Sequence, residues 1–288
     1  RTRDRSPAGH AASATDALAA GFAAVKIAPF DEVTPALSDD AEGRAALQRG
    51  LDRIAAVRDA LGSARRLMVD CHWRLSRLDA CAVSDALDQL GLSPSVTGLK
   101  PLSVRQRISG RVTTVRLAAG KPPAGAPPRH LCTTAIDGSD AGAVIVVEQK
   151  TGQECAGWGG ILSNAARGRG ISGVIVEGLA RDVDEAADIG FPVYGRGSTA
   201  RTARGRIHEA ETGGPISVGD LTVQDGDWVV ADSSGAAFVP AAAIEAVLSA
   251  AENIAAKEAA MTKAVLAGNP VSAVMGASYE HLLEKKPA

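Results

Sequence analysis

A glycine-rich turn that opens directly into a predicted helix is the segment of this sequence best suited to hold a ligand. It reads Gly157-Trp158-Gly159-Gly160 and continues into Ile161 and Leu162. Glycines let the backbone approach a bound molecule, and the unpaired N–H groups of a first helical turn favour an anion such as a carboxylate. The segment therefore predicts a site for a 2-oxo acid. A tight strand-to-helix turn without a ligand fits the same residues, so the glycines alone leave both interpretations open.

A second candidate is the pair Arg181 and Asp182, which follows a predicted strand over 173–177. Ligand sites in α/β folds favour the carboxyl ends of strands. The Arg181 guanidinium suits a carboxylate or a developing enolate, and the Asp182 carboxylate suits a hard divalent cation. Asp182 is equally suited to cap the next helix, with Glu185 at the capping-box position. The sequence leaves both roles open.

Composition narrows the class of ligand. The 288 residues are 45% apolar, which is enough for a core in one or two domains. A formal charge of −2, with only three Trp, two Tyr and four Phe, argues against nucleic acid or an anionic membrane as a partner. No apolar run approaches the roughly 18 residues of a membrane span, and the residues after Arg1 lead into no secretory signal. We expect a cytoplasmic protein with a small polar ligand.

The cysteines fit the same expectation. They are far apart and lack the C-x-x-C spacing of metal clips and redox dithiols, so we interpret them as reduced packing residues: Cys71, Cys81, Cys132 and Cys155. The chain begins with Arg1 rather than Met, and we interpret it as a fragment or as a wrongly started chain. His130 and His208 are open to a site role across subunits, although lone histidines more often have a structural or surface role.

The elements that must position these residues fall into two parts. In the first, strands over 23–28 and 67–70 flank a helix over 44–61 that ends at Gly62, which predicts one β-α-β unit. The second begins near Leu78 with a helix over 78–90, followed by short strands and a Gly/Pro loop over 120–128.

The rest of the second part predicts layers. Strands over 143–148 and 173–177 alternate with helices over 161–167 and 183–189, which indicates a partly parallel sheet with helices on at least one face. Closely spaced strands between residues 192 and 239 predict a second, mainly antiparallel layer. A final long helix is expected to begin with Pro240 at its first turn and to end at Gly268.

Residues Leu78–Lys286 resemble, almost end to end, the RraA-like family, which contains the regulator of ribonuclease activity A and the 4-hydroxy-4-methyl-2-oxoglutarate aldolases. The segments that carry this resemblance occur in one order along the chain: Cys81-Ala82-Val83-Ser84-Asp85-Ala86-Leu87, Gly98-Leu99-Lys100-Pro101-Leu102, Trp158-Gly159-Gly160-Ile161-Leu162, Gly170–Gly178, Arg181-Asp182, Gly190-Phe191-Pro192-Val193-Tyr194 and Val274-Met275-Gly276.

The resemblance implies a swivelling β/β/α fold over residues 78–288, assembled as a homotrimer or hexamer with active sites between subunits. It implies a metal-dependent lyase that cleaves 4-hydroxy-2-oxo acids to pyruvate, with oxaloacetate decarboxylase activity. Carried over, the backbone of Gly159, Gly160, Ile161 and Leu162 meets the substrate carboxylate, Arg181 contacts the carbonyl side, and Asp182 ligates the cation, Mg²⁺ or alternatively Mn²⁺.

Two departures from the family pattern leave the substrate open. Some aldolases of the family have an acid in place of Gly160 and use it to hold water at the metal. The turn Asp232-Ser233-Ser234-Gly235 is also less acidic than the family's. No residue is predicted as the base for the 4-hydroxyl group, for which water held by the cation is the candidate. The alternative from another class is a non-catalytic regulator of ribonuclease activity, which fold alone does not separate from the enzyme.

Residues 1–77 resemble a fragment of an enolase-superfamily acid-sugar dehydratase barrel, on the segments Gly21–Phe30 and Val69–Arg74. The resemblance would make Asp70 a metal ligand and would bring Lys26 and His72 near acid/base positions. A complete barrel needs about 250 residues, and the other carboxylate ligands would lie on strands that this chain lacks. We therefore interpret residues 1–77 as a non-catalytic relic of a gene fusion.

Overall fold

The computed structural model describes residues 4–30, 32, 41–63, 65–69, 78–92, 95–125 and 130–276. For residues 41–44 the description covers the backbone only. The chain divides into two compact units, Arg1–Arg77 and Leu78–Ala288. Asp70, His72 and Cys71 lie outside the described residues.

The first unit contains the predicted β-α-β arrangement. Its elements are α1 (Pro7–Ala19), β1 (Ala24–Ile27), α2 (Ala41–Leu61) and β2 (Arg66–Val69), and β1 pairs with β2 in parallel. The helix α1 was not predicted from the sequence. Its start carries a clear signal, because the Ser6 hydroxyl accepts a 3.0 Å bond from the Gly9 amide and Pro7 occupies the first turn.

The second unit holds the remaining elements. The helices are α3 (Ala80–Gln89), α4 (Thr133–Gly138), α5 (Gly160–Gly168), α6 (Val183–Asp188), α7 (Ile244–Leu266) and α8 (Val271–Val274). The strands are β3 (Ser95–Val96), β4 (Lys100–Pro101), β5 (Ile108–Ala119), β6 (Val144–Glu148), β7 (Ala156–Trp158), β8 (Gly173–Ala180), β9 (Val193–Ser198), β10 (Ile207–Thr212), β11 (Ile216–Val218), β12 (Leu221–Val223), β13 (Trp228–Asp232) and β14 (Gly235–Val239).

A parallel core, β5-β6-β8-β9, forms the centre of the sheet. The first residues of β5 pair with β13, β13 pairs with β14, and β14 pairs with β3, each pair being antiparallel. The predicted antiparallel layer is therefore hydrogen-bonded to the parallel one through β5 rather than separate from it. β11 and β12 form a hairpin of their own.

Strand β5 is a single long strand where the sequence predicted several short ones. Its first residues pair with β13, and Val112–Arg116 pair with β6. Gly110 lies where the two pairings meet, and a Cβ there would overlap the Gly142 carbonyl oxygen. The glycine that weakens the strand pattern in the sequence is thus needed for close backbone approach.

The two faces of β6 pack against different layers. Ile145 and Val147 belong to a core cluster with Leu162 of α5 and Ala135 of α4. Val144 and Val146 belong to a second cluster with Ile216 and Val229 from the antiparallel strands. Helices therefore cover one face and strands the other, which gives the β/β/α layering.

Helices α3 and α7 enclose a third core cluster. Val83 and Leu87 of α3 pack with Val239 of β14 and with Val247 and Ile254 of α7. The start of α7 differs from the prediction, because Pro240 leads into a short 3-10 helix, Ala241–Ala243, and the α-helix begins at Ile244. No helix in the described part of the chain is long and apolar enough to cross a membrane.

Candidate functional site

The glycine turn is held in place by the buried indole of Trp158. This residue ends β7 with 2% of its surface exposed, and its ring stacks on Phe191 with 6.3 Å between the centroids. The indole Nε1 donates a 2.9 Å bond to Ser163 Oγ, and that hydroxyl donates to the Gly159 carbonyl at 3.2 Å. Packing and hydrogen bonds therefore fix the backbone where α5 begins.

The end of β8 brings Arg181 and Asp182 to this turn. Strand β7 pairs in parallel with the last residues of β8, Leu179 and Ala180, and the Arg181 amide donates a 3.0 Å bond to the Trp158 carbonyl. The sequence predicted that the strand stops at Glu177, but it continues to Ala180 through an irregular register beside Gly178. This extension sets Arg181 and Asp182 against Gly159 and Gly160.

The geometry of Asp182 bears on the helix-cap role, one of the two that the sequence left open. Asp182 occupies the N-cap position of α6, but its side chain makes no cap hydrogen bond. Its Oδ2 atom instead accepts a 2.9 Å bond from the Gly160 amide and a 3.1 Å bond from Arg181 Nε. The predicted helix-cap role is therefore wrong, because the carboxylate turns away from α6 and towards the glycine turn.

The backbone of Asp182 is also unusual. Its φ and ψ angles are 55° and 37°, in the left-handed region that L-residues seldom adopt. Only Cys132 shares a positive φ among the described non-glycine residues. Such conformations cost of order 1–3 kcal/mol and cluster at functional sites. The fold therefore holds this carboxylate in place at the expense of backbone strain.

Arg181 and the first turn of α5 have N–H groups that donate to no acceptor among the described residues. The Nε of Arg181 bonds to Asp182, whereas its two terminal nitrogens donate to no group in the described ranges, and 39% of the side chain is exposed. The amides of Ile161 and Leu162 likewise have no hydrogen-bond acceptor among the residues described here. The Gly160 amide is already taken by Asp182. Donors to a bound carboxylate would thus come from Ile161 and Leu162 rather than from Gly160.

These groups line a cavity of about 740 Å³. The glycine turn, Arg181 and Asp182 form one part of its wall. Much of the rest comes from segments that the sequence did not single out, namely Thr202–Gly205 and all of β10. His130 and His208 line the same cavity from within one chain. Nothing in the sequence spacing relates residues 202–212 to the glycine turn, because β10 reaches the cavity by pairing with β5.

Glu185 lies against Gly160 from the side of α6. Asn164 Nδ2 donates a 2.8 Å bond to Glu185 Oε1 and a 3.0 Å bond to the Gly160 carbonyl. A Cβ on Gly160 would overlap the Glu185 carboxylate. Glu185 therefore fills the space that a side chain at position 160 would enter.

The donor set at Asp182 fits a divalent cation bound mainly by other ligands. Both hydrogen bonds to Asp182 use Oδ2, and Oδ1 accepts none from the described residues. No group of three or more His, Cys, Asp and Glu side chains that could hold a metal occurs in the described part of the chain. A cation here would take one oxygen from Asp182 and the rest from substrate and water, which is how Mg²⁺ is often bound.

The cysteine next to the cavity is suited to packing. Cys132 is fully buried, and burial raises the pKa of its thiol well above the usual value. A protonated, enclosed thiol is a poor nucleophile. Cys81 and Cys155 are also free of disulfide bonds within the described ranges.

Comparison with known families tests the resemblance directly. The model of the RraA-like family, described as Aldolase/RraA, matches residues 80–238, more than half of the chain. The chain belongs to the RraA-like family. A second model, described as Enolase C-terminal domain-like, matches residues 9–94 and overlaps the RraA-like match at α3. Both resemblances and the predicted α/β fold class are confirmed.

Individual relatives agree with this RraA-like assignment. A protein of Halalkalibacterium halodurans, named for 4-hydroxy-4-methyl-2-oxoglutarate aldolase, is 29% identical over 68% of this chain and 89% of its own length. Protein DlpA of Legionella pneumophila is 26% identical over 68% of this chain, which spans only 32% of that protein. A crystal structure of an uncharacterized protein from Pseudomonas syringae pv. tomato matches with a TM-score of 0.62 and 28% identity, covering 69% of this chain and 93% of that one.

Proposed function

We propose that this RraA-like protein is a divalent-metal-dependent lyase that cleaves 4-hydroxy-2-oxo acids to pyruvate and also decarboxylates oxaloacetate. The observation that carries the proposal is the position of Asp182, whose strained backbone turns its carboxylate to the glycine turn and to Arg181. The names of relatives such as the Halalkalibacterium protein support the same class of reaction. The substrates considered are of the 4-hydroxy-4-methyl-2-oxoglutarate or 4-carboxy-4-hydroxy-2-oxoadipate type.

In this proposal the uncommitted donors bind the 2-oxo acid end of the substrate. The Ile161 and Leu162 amides donate to its carboxylate at the N-terminus of α5. The terminal nitrogens of Arg181 donate to the 2-oxo oxygen, while Nε stays on Asp182. Asp182 would hold the cation, Mg²⁺ or Mn²⁺, which when bound supplies a Lewis acid for the 2-oxo acid.

The bond changes follow from this placement. Loss of the 4-hydroxyl proton turns C4 into a carbonyl, the C3–C4 bond breaks, and its electron pair forms the enolate of pyruvate. Arg181 stabilises the negative oxygen, as an oxyanion-hole donor does. A proton then adds to C3. In oxaloacetate the same bond breaks, carbon dioxide leaves, and the same enolate forms, so one site serves both reactions.

The proposal includes the assembly. We propose a homotrimer or hexamer, as membership of the RraA-like family suggests. Light scattering coupled to gel filtration checks the subunit number. A monomer that turns over substrate would contradict the proposed assembly without affecting the chemistry.

Pyruvate release from oxaloacetate and from 4-hydroxy-4-methyl-2-oxoglutarate tests the activity. We expect turnover with Mg²⁺ or Mn²⁺, complete loss after exhaustive chelation, and recovery when either cation is added back. Undiminished turnover in chelated protein would contradict the metal-dependent mechanism. Absence of turnover under all conditions would contradict the lyase and favour the non-catalytic regulator.

A further inference from the structure

The cavity has room for more than the pyruvyl end of a substrate. Its volume of about 740 Å³ lies in the range of pockets that enclose drug-sized ligands. The glycine turn, Arg181 and Asp182 occupy one part of the wall. The groups on the wall formed by Thr202–Gly205 and β10 therefore face whatever extends beyond the 2-oxo acid.

The carboxylates on that wall are already engaged by protein groups. Glu209 accepts a 2.6 Å bond from the Cys132 amide and a 2.9 Å bond from the Thr212 hydroxyl. Glu211 forms a 2.5 Å ion pair with Arg116. Glu211 is thus paired with a cation, and hydrogen bonds occupy both carboxylate oxygens of Glu209.

Arg204 differs from the neighbouring arginines of its loop. Arg201 pairs with Glu154 at 3.1 Å, and Arg206 donates to the Thr202 carbonyl at 2.9 Å. Neither of these two residues lines the cavity, whereas Arg204 does. The guanidinium of Arg204 donates to no group in the part of the chain that is described, while its backbone amide is held by the Thr202 hydroxyl at 3.2 Å. The loop is anchored, and the guanidinium of this cavity-lining residue is uncommitted.

We propose that Arg204 is the residue that binds the second carboxylate of these substrates. The inference rests on the proposed function and names the residue that reads the distal part of its substrate. The planar guanidinium offers two parallel N–H donors, which match the two oxygens of a carboxylate. A substrate with a terminal methyl group in that place would leave Arg204 unpaired and gain nothing from it.

Two unreactive probes test this on the full chain with Mg²⁺ by calorimetry. 2-Oxoglutarate and 2-oxopentanoate have the same 2-oxo acid end and the same number of carbons, but only the first has a second carboxylate. Neither has a 4-hydroxyl group, so neither can be cleaved. We expect the wild type to bind 2-oxoglutarate about tenfold or more tightly than 2-oxopentanoate, as for a hydrogen bond between charged groups.

Arg204→Gln should abolish this preference and leave the affinity for 2-oxopentanoate unchanged. Arg201→Gln is the matched control, since Arg201 is an exposed arginine of the same loop outside the cavity, and it should keep the preference. A preference retained in Arg204→Gln, or equal binding of both probes by the wild type, would overturn the role of Arg204 alone. Failure of the wild type to bind either probe would overturn the proposed function as well.

Discussion

The two units of the chain differ in how many elements meet among their described residues. In the second unit, β7 and β8 end side by side and bring a glycine turn, an arginine and a strained aspartate together. In the first unit, the described residues include two paired strands, β1 and β2, and a small core around Ala14, Val57 and Leu61. In the second unit, groups from several elements surround a cavity.

The exposure of the first unit's strands sharpens this contrast. Three of the four residues of β2 are exposed, among them Met68 with 51% of its surface accessible, and Lys26 of β1 is exposed as well. Strands of a complete barrel are covered on both faces and contribute site residues from several strand ends. A family match therefore does not by itself bring site residues together, whereas the pairing of β7 with β8 does so in the second unit.

Replacing Arg181 should have the largest effect on turnover. Arg181→Lys keeps the charge but loses the planar fork, so pyruvate release should fall about 100-fold, as when an oxyanion donor is removed. Thermal unfolding should change little, because the side chain is partly exposed. Steady-state kinetics and a melting curve on the same preparation check both statements. Wild-type turnover in this variant would remove Arg181 from the reaction.

A smaller effect is expected at the turn itself. A Cβ on Gly159 would lie 2.9 Å from Asp182 Oδ2 and 3.3 Å from Arg181 Cγ, so Gly159→Ala must displace the pair. The φ angle of Gly159 is −158°, which any residue adopts, so the backbone is not strained. We expect turnover to drop about tenfold, since small misplacements of reacting groups are costly.

Gly168→Ala serves as the control for that prediction. It lies at the other end of α5, where a Cβ would contact nothing, and it should leave turnover unchanged. Equal kinetics in Gly159→Ala and Gly168→Ala would contradict the idea that the turn and the Arg181–Asp182 pair form one site.

Removing the first unit should have the smallest effect on catalysis. Deletion of residues 1–77 is expected to leave a folded oligomer with unchanged turnover, because the β-α-β unit has its own core. Deletion of residues 1–94 ends where the enolase-like match ends, and it also removes α3 with its buried Val83 and Leu87. That variant should be destabilised by several kcal/mol. Melting curves and oxaloacetate turnover of both deletion variants locate the boundary of the catalytic domain. Lost turnover after deletion of residues 1–77 would show that these residues are needed for activity.

Much of the fold follows from local sequence signals. The helix predicted over 44–61 is present as part of α2, and the strand over 143–148 and helix over 161–167 each correspond to an observed element. The long strand β5 was missed because Gly110 interrupts its pattern for a reason that only the neighbouring Gly142 carbonyl explains. Strand β10 was missed because it is largely polar and forms by pairing with distant β5.

The site was predictable in its parts but not in its geometry. The glycine turn and the Arg181–Asp182 pair were both recognised, and each left a structural alternative open. The parallel pairing of β7 with β8 brings them together, and local spacing does not contain that pairing. The cavity wall around Arg204 and His208 depends on a different long-range pairing, that of β10 with β5.

We propose that the Asp182 carboxylate binds the cation and does not cap α6. Asp182→Asn tests it most directly, because asparagine tolerates the left-handed backbone and keeps the size of the side chain but lacks its charge. Oxaloacetate turnover measured against Mg²⁺ concentration should lose its metal activation in this variant, while the melting temperature stays that of the wild type. Turnover with the wild-type dependence on Mg²⁺ would contradict the role of Asp182 as a ligand of the cation.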